Sequence, residues 1–398
     1  MSRIVRIVLC ALALTVLAGA GTLSAEPSPQ AARVAAGHHP IVGIGDDKTD
    51  LFSDPRFLGL GVKYLRYDMA WDALSVGWER SEVQSWMKDA HADHMSVLVT
   101  IDHSRSVVWR WETVTVNHRR VRKHVAISQS RVLPSVADYV KAFKAFRARF
   151  PWVTEFVTWD ETNCYCEVTY DQETLVAKYY AALRKACPHC TILAAEFLDS
   201  PPKDAVPMVS WARKFIRALG YEPGYWGLNN YEDANHLQDV RTKQLLAAVT
   251  GNVWLAETGG IVDRHNGTKD PGFPQNAAHA ATVDRYLLDT IGALSPRLQR
   301  IYFYEWDAKT PRDSWDTALI SWTGAVREGY VVLAQTLNAW GIHPDCAISR
   351  VPPTCTGLGA GGTPVSTGPS GATGSTAATG ATGATAATGA TGTTGATS

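Results

Sequence analysis

Three things are scarce in this 398-residue chain. There is no charge excess, because 38 Lys and Arg stand against 38 Asp and Glu. That balance removes the electrostatic argument for a nucleic-acid partner or an anionic membrane surface. There is no apolar run of the roughly 20 residues that a spanning helix needs; the longest, Ile7 to Gly21, falls short. And there is no charge at all after Arg350. What is plentiful is the flat ring: 14 Trp and 14 Tyr, which either fill cores or stack on sugars and bases. At 45% hydrophobic and 19% charged, the chain as a whole is not a disordered polyelectrolyte.

The two ends read differently from the middle. Arg3 and Arg6 precede the apolar run, and small residues follow at 18–20 and 24–25, so residues 1–25 read as a secretory signal peptide, with cleavage after Ala20 or Ala25. This predicts a secreted or extracytoplasmic protein. Residues 356–398 are almost wholly Gly, Ala, Thr, Ser and Pro. Gly368, Gly371, Gly374, Gly380, Gly383, Gly389, Gly392 and Gly395 share a three-residue register that resembles bacterial collagen-like tracts, but Ala377 and Ala386 break it and only Pro369 supports it. A low-complexity tail that cannot offset its ordering entropy is expected, serving as a wall spacer or cell-wall association segment.

Without Cys10 of the leading segment, six cysteines remain. An even number in an exported chain suggests disulfides. Cys187-Pro188-His189-Cys190 looks like a redox motif, but it ends a predicted helix instead of opening one, so no helix dipole lowers a thiol pKa. A four-Cys zinc site with Cys164 and Cys166 would have to span a helix of roughly 22 Å. Local pairs Cys187–Cys190 and Cys346–Cys355 are expected, and a Cys164–Cys166 bridge is allowed but sterically awkward. No metal or other cofactor is predicted.

Between the ends, eight apolar β-rich runs (41–45, 64–71, 96–102, 155–160, 191–196, 225–231, 253–257 and 301–306) alternate with helical stretches. This predicts an α/β fold, a single (β/α)8 TIM barrel over residues 40–345. Reactive side chains in that fold lie at strand C-termini. Here those ends carry Arg66 and Asp68; Asp102-His103; Trp159-Asp160-Glu161-Thr162-Asn163; Glu196; Asn229-Asn230-Tyr231; Glu257-Thr258-Gly259; and Tyr304-Glu305-Trp306-Asp307.

On those residues the chain resembles the retaining glycoside hydrolases of clan A, over roughly residues 40–345. Trp-Asp-Glu-Thr-Asn at 159–163 is similar to the clan's strand-4 motif, and Trp254-Leu255-Ala256-Glu257-Thr258-Gly259 to its strand-7 motif. The resemblance implies Glu161 as acid/base, Glu257 as nucleophile, and a poly- or oligosaccharide substrate. It implies substrate contacts from Asp160, Arg66, His103, Asn229, Tyr231 and Trp306, with Trp306 as the apolar floor under the sugar, Arg66 holding Glu257 ionised and Tyr231 orienting it. Two departures matter: Asp160 stands where the clan has Asn, and Asn229 where it has His. They keep open the alternative of a secreted glycan-binding barrel without turnover. A basic insertion, 104–134, contains Arg105, Arg110, Arg119, Arg120, Arg122, Lys123 and Arg131 with Trp109 and Trp111, against one acid, Glu112. It reads either as a subsite wall overhanging the cleft, for an acidic glycan, or as a solvated basic hairpin. Asn266-Gly267-Thr268 fits an N-glycosylation acceptor.

Overall fold

A computed structural model of the chain describes residues 39–264, 272–342, 346–347 and 354–355. The predicted signal peptide, the tail and the Asn266 acceptor lie outside the described residues. The chain divides into two units, 1–356 and 357–398, of which the first contains everything described below.

Nine parallel strands form one sheet. In chain order its strands are β1 (Ile41–Gly45), β2 (Tyr64–Ala70), β3 (Ser96–Asp102), β6 (Glu155–Val157), β7 (Thr191–Leu193), β8 (Glu196–Leu198), β9 (Tyr225–Asn229), β10 (Asn252–Thr258) and β11 (Leu298–Tyr304). Two further strands, β4 (Val107–Val116) and β5 (Arg119–Ser128), form a separate antiparallel ribbon. β1 pairs with both β2 and β11, closing the sheet on that side. The fifth stave is split at Ala194-Ala195: β7 pairs with β6, and β8 pairs with β9. The break is bridged by the Ala194 N–H to the Tyr225 carbonyl and by the Gly227 N–H to the Ala195 carbonyl. The molecule is therefore the TIM barrel the alternation predicts, with one kinked stave.

The strands are buried along most of their length, as parallel strands covered on both faces must be. Outside them lie α1 (Pro55–Leu60), α2 (Gly77–Ala92), α3 (Val136–Arg149), α4 (Glu173–Ala186), α5 (Met208–Leu219), α6 (Tyr231–Asn235), α7 (Val240–Ala248), α8 (Ala277–Tyr286) and α9 (Glu328–Ala339). Local chemistry sets their ends. Ser135 caps α3 by accepting from the Asp138 N–H, and the helix buries the stripe Tyr139, Phe143 and Phe146. Gly220, at φ 86°, stops α5. Asp233 of α6 accepts from the Thr242 N–H at 2.7 Å and ties the start of α7 to it.

Two apolar layers result. The larger lies between strands and helices. The smaller fills the barrel's interior with Leu98, Val157, Leu193, Trp254, Ala256 and Tyr302. Gly43 makes room for it, since a Cβ there would fall 2.4 Å from the Tyr302 ring. On the same interior level, Arg300 forms a bidentate pair with Glu155 (2.6 Å for each bond) and lies 3.8 Å above the Trp254 ring. The interior is thus plugged, and the strand C-termini must build any site above it.

Candidate active site

The strand C-termini surround a cleft of about 820 Å³ lined by Asp47, Arg66, Asp68, Asp160, Glu161, Tyr231, Glu257 and Tyr304, and further out by Cys164, Cys166, Lys203, Asp204, Glu232, Arg264, Phe273 and Trp315. The two glutamates singled out in the sequence share this cavity.

Glu161 is held by its neighbours. The Asp160 N–H extends the ladder to the Ile101 carbonyl (2.9 Å), and the Thr162 N–H bonds the Glu196 carbonyl (2.8 Å). Between these two anchors Glu161 adopts φ 35°, a left-handed conformation that costs a non-glycine roughly 1 kcal/mol or more. Asn163, buried, then pins the following loop to β8: its amide donates to the Leu198 and Val206 carbonyls and accepts from the Leu198 N–H. A disulfide joins Cys164 to Cys166, and the Cys166 sulfur touches the Glu161 carboxylate at 3.6 Å. The bridge that looked sterically awkward therefore forms, and it lies in the cleft wall. Cys187–Cys190 is also a disulfide, away from the cleft, as its helix-ending position predicts. The backbones of Cys346 and Cys355 pair across a two-stranded ribbon, but their side chains lie outside the described residues.

Glu257 has a different environment. Arg66 Nη1 lies 2.7 Å from its Oε2, and the Tyr231 hydroxyl donates to its Oε1 at 2.9 Å. Tyr231 opens α6, whose first N–H groups are tied down by Asp199, which accepts from Glu232 and Asp233 at 2.8 Å each. The same guanidinium reaches two more carboxylates through Nη2, Asp160 at 3.0 Å and Glu196 at 2.8 Å. Glu196 is fully buried and also accepts from Thr100. One cation therefore faces three carboxyl groups.

The electrostatic consequence is an asymmetry. Burial, reinforced by the charges of Glu257 and Glu196, pushes the Glu161 carboxyl up to about 8. Burial also raises Glu257, but the Arg66 charge and the Tyr231 hydrogen bond pull it back. Burial and then the Glu196 and Asp68 charges hold Asp160 well above the usual carboxylate range, against the pull of Arg66. Both carboxyls are raised, but Arg66 opposes the rise at Glu257, and a difference in surroundings of this kind can separate an acid from a base.

Asn229 is fully buried at the end of β9. It lies close enough to lower the Glu161 pKa somewhat, yet neither of its amide atoms has a well-formed hydrogen bond. It does not line the cleft.

Two further expected substrate contacts, besides Asn229, are also outside the cleft lining. Trp306 is 1% exposed, its indole N–H donates to Asp54 Oδ2 at 3.2 Å, and its ring packs edge-on against Phe57 and Tyr330. It belongs to the layer between strands and helices and is not a cleft floor. The tryptophan that lines the cleft is Trp315, in the loop after β11. It packs edge-on against Tyr231 (centroids 5.0 Å apart), with the Arg264 guanidinium 4.5 Å over its face. His103 does not line the cleft either: its Nδ1 lies 2.7 Å from Asp102 and 3.0 Å from Glu167, and these two carboxylates push its pKa up to about 10. A loop tryptophan follows no strand pattern, so nothing in the sequence marked Trp315. Glu196 stood at a strand end, and its position was the only signal for it.

Two clusters have donor sets of the kind that bind metals. In the first, Glu161 with Cys164 and Cys166, the sulfurs are bonded to each other and are not thiolates. In the second, Asp102, His103 and Glu167, the imidazole Nδ1 lies 2.7 Å and 3.0 Å from the two carboxylates.

No protein-family model matches the chain, and no curated protein does. Solved structures do. A psychrophilic glycoside hydrolase family 10 endo-beta-1,4-xylanase is 11% identical with a TM-score of 0.53, over 75% of this chain and 98% of that one. Xylanase10C from Cellvibrio japonicus in complex with xylopentaose is 12% identical with a TM-score of 0.51, over 77% of this chain and 68% of that one. GH5_18 from Streptomyces cattleya in complex with GlcNAc is 14% identical with a TM-score of 0.50, over 77% and 81%. At such identities the likeness is one of fold alone: the chain shares the TIM barrel of these solved glycoside hydrolases.

Proposed function

We propose that the protein is a retaining glycoside hydrolase acting on the O-glycosidic bonds of a poly- or oligosaccharide. The observation that carries the reading is the different treatment of two glutamates in one cleft: Glu257 is paired with Arg66 and Tyr231, while Glu161 has no cationic partner among the described residues and is pushed up to about 8.

Cleaving a glycosidic bond builds positive charge on the anomeric carbon and negative charge on the leaving oxygen. Glu161, protonated near neutral pH, donates its proton to the leaving oxygen. Glu257, ionised beside Arg66, attacks the anomeric carbon and forms a glycosyl-enzyme. Glu161, now a carboxylate, takes a proton from water as that water displaces Glu257 and restores both groups. Asp160 takes the place of a neutral amide beside the acid, and its raised proton affinity keeps it able to donate a hydrogen bond to a sugar hydroxyl. Trp315 supplies the apolar face on which a sugar ring stacks. Two disulfides support an extracytoplasmic location. Among the described residues no helix is long and apolar enough to cross a membrane.

The test compares the wild type with Glu161→Gln and Glu257→Gln on a panel of aryl β-glycosides. Release should fall by on the order of 10²–10⁴ for Glu161→Gln and at least as far for Glu257→Gln, with retained anomeric configuration in the wild-type product. Equal, background-level release from all three proteins would favour the glycan-binding barrel instead.

A further inference from the structure

The basic insertion is not a wall of the cleft. It is a free-standing ribbon: β4 and β5 pair over ten residues each, from Val107↔Ser128 to Val116↔Arg119. Its two-residue turn, Asn117-His118, has positive φ at both positions (49° and 61°), the pattern of a tight hairpin whose twist matches its strands. No residue of the ribbon lines the catalytic cleft.

Strand alternation sorts its side chains. One face carries Trp109, Trp111, His124, Arg122 and Arg120, from the pairs Trp109↔Ala126, Trp111↔His124, Thr113↔Arg122 and Thr115↔Arg120. The two indoles are 60% and 61% exposed. His124 bridges them, with ring centroids 5.2 Å from Trp109 and 5.1 Å from Trp111, and the Arg122 guanidinium lies 5.6 Å from the Trp111 ring centre. The result is one continuous aromatic strip edged by cations. A shallow depression at its tip is lined by Asn117, Arg119, Arg122 and Lys123.

These cations are not spent on the protein. Arg105, at the root, is held among Asp68, Glu79 and Asp102, and Arg110 pairs with Glu112. Among the described residues, Arg119, Arg120, Arg122 and Lys123 have no carboxylate partner. Exposed stacked rings select a ligand with flat apolar faces, and unpaired guanidinium groups select carboxylates or sulfates. A second copy of the ribbon would set like charges against each other.

We propose that this ribbon is a binding site for an anionic polysaccharide, separate from the catalytic cleft. The cleft has no such cluster: of the three cations that line it, Arg66 is committed to Asp160, Glu196 and Glu257, Lys203 lies 3.9 Å from Asp204, and Arg264 lies over the Trp315 ring. An acidic polymer therefore meets its run of unpartnered cations on the ribbon and not in the cleft. The ribbon anchors the protein on an acidic polymer, while the cleft, apart from it, does the cleaving. The second half of this statement rests on the hydrolase reading; the first does not.

The experiment uses the full chain in affinity electrophoresis through gels containing polygalacturonate or neutral xylan, and in cosedimentation with phosphatidylglycerol vesicles. Variants are Trp109→Ala/Trp111→Ala and Arg120→Gln/Arg122→Gln, with thermal melting to confirm that each folds. Polygalacturonate should retard the wild type, xylan should not retard it through the ribbon, and added salt should release it. Each double variant should bind at least tenfold more weakly, with aryl-glycoside turnover within twofold of wild type. No retardation by polygalacturonate overturns the proposal, as does retardation that both variants retain. Stronger binding to vesicles than to polygalacturonate, or a dimer that the variants abolish, assigns the ribbon to a lipid surface or to a second copy and overturns it equally. If no glycoside is hydrolysed yet the ribbon binds, the hydrolase reading fails and the anchoring site stands.

Discussion

Arg66 and Glu257 stand 2.7 Å apart, a cation from β2 and an anion from β10 meeting across the top of the barrel. Because the same guanidinium also serves Asp160 and Glu196, it is the counter-charge on which this whole carboxylate cluster depends. Removing it, as in Arg66→Gln, leaves buried anions unpaired. The expected cost is about 3–5 kcal/mol of stability, seen as a drop of roughly 10 °C in Tm. Any residual activity should have its acidic limb moved to higher pH by about one unit or more, since the charge that favours the Glu257 carboxylate is gone. A melting curve and a pH profile of kcat/KM check this. An acidic limb that does not move would mean that Arg66 does not set the ionisation of Glu257.

The proposed acid has the opposite requirement. In that role Glu161 must carry its proton, and it is pushed up to about 8. Below that value the proton is present; above it the proton is lost and the rate falls. The basic limb of the pH profile should therefore lie near pH 8. In Glu161→Gln that limb should vanish when the substrate's leaving group needs no protonation. A variant that keeps the basic limb would assign it to another group.

Trp315 is only half-buried, so its loss should disturb binding more than folding. Trp315→Ala should raise KM about tenfold, in line with the value of an aromatic contact, with a small change in Tm. Trp306→Ala should do the reverse, because that ring is core: a stability loss of about 3–5 kcal/mol. Steady-state kinetics and melting of the two variants side by side separate the roles. If Trp306→Ala were stable and raised KM, the sequence-based assignment would be right and this one wrong.

His103 predicts a pH-dependent stability. Its pKa rises from 6.5 to about 10 on folding, through hydrogen bonds to Asp102 and Glu167. A raised folded-state pKa contributes stability that is complete below pH 6.5 and is lost as pH rises through 10. His103→Gln should thus be less stable than wild type at pH 6, and the gap should close toward pH 10. A third of the side chain is exposed, so solvent screens part of the effect. Melting temperatures at the two pH values decide the point, and a gap independent of pH would reduce the residue to simple packing.

Much of this was legible without coordinates. Period-two and period-3.6 patterns place eight staves and most helices, since burial on both strand faces and on one helix face leaves its mark in residue order. The convergence of Arg66, Glu161, Tyr231 and Glu257 was readable because the barrel sends strand ends to one rim. The errors share a cause. Trp306 and His103 sit at or just past strand ends, as the true cleft residues do, but the chain turns there. A position that follows a strand does not say whether its side chain aims up into the cleft or outward beneath the helices. Asp54 and Phe57 decide this for Trp306, and Asp102 and Glu167 for His103. Nor can composition tell whether a basic insertion leans over the cleft or stands free; the pairing of β4 with β5 and the absence of either from the cleft lining decided that.

By itself, the order of the residues determined the barrel, its rim and the two glutamates, because alternating apolar periods leave few other ways to bury them. Only the tertiary structure decided which cation serves which carboxylate, which tryptophan lines the cleft, and that Cys164 and Cys166 close a bridge against Glu161. Those outcomes depend on distances of a few ångströms between residues far apart in the chain, and charge and contact energies at that range change with separations that sequence order does not encode.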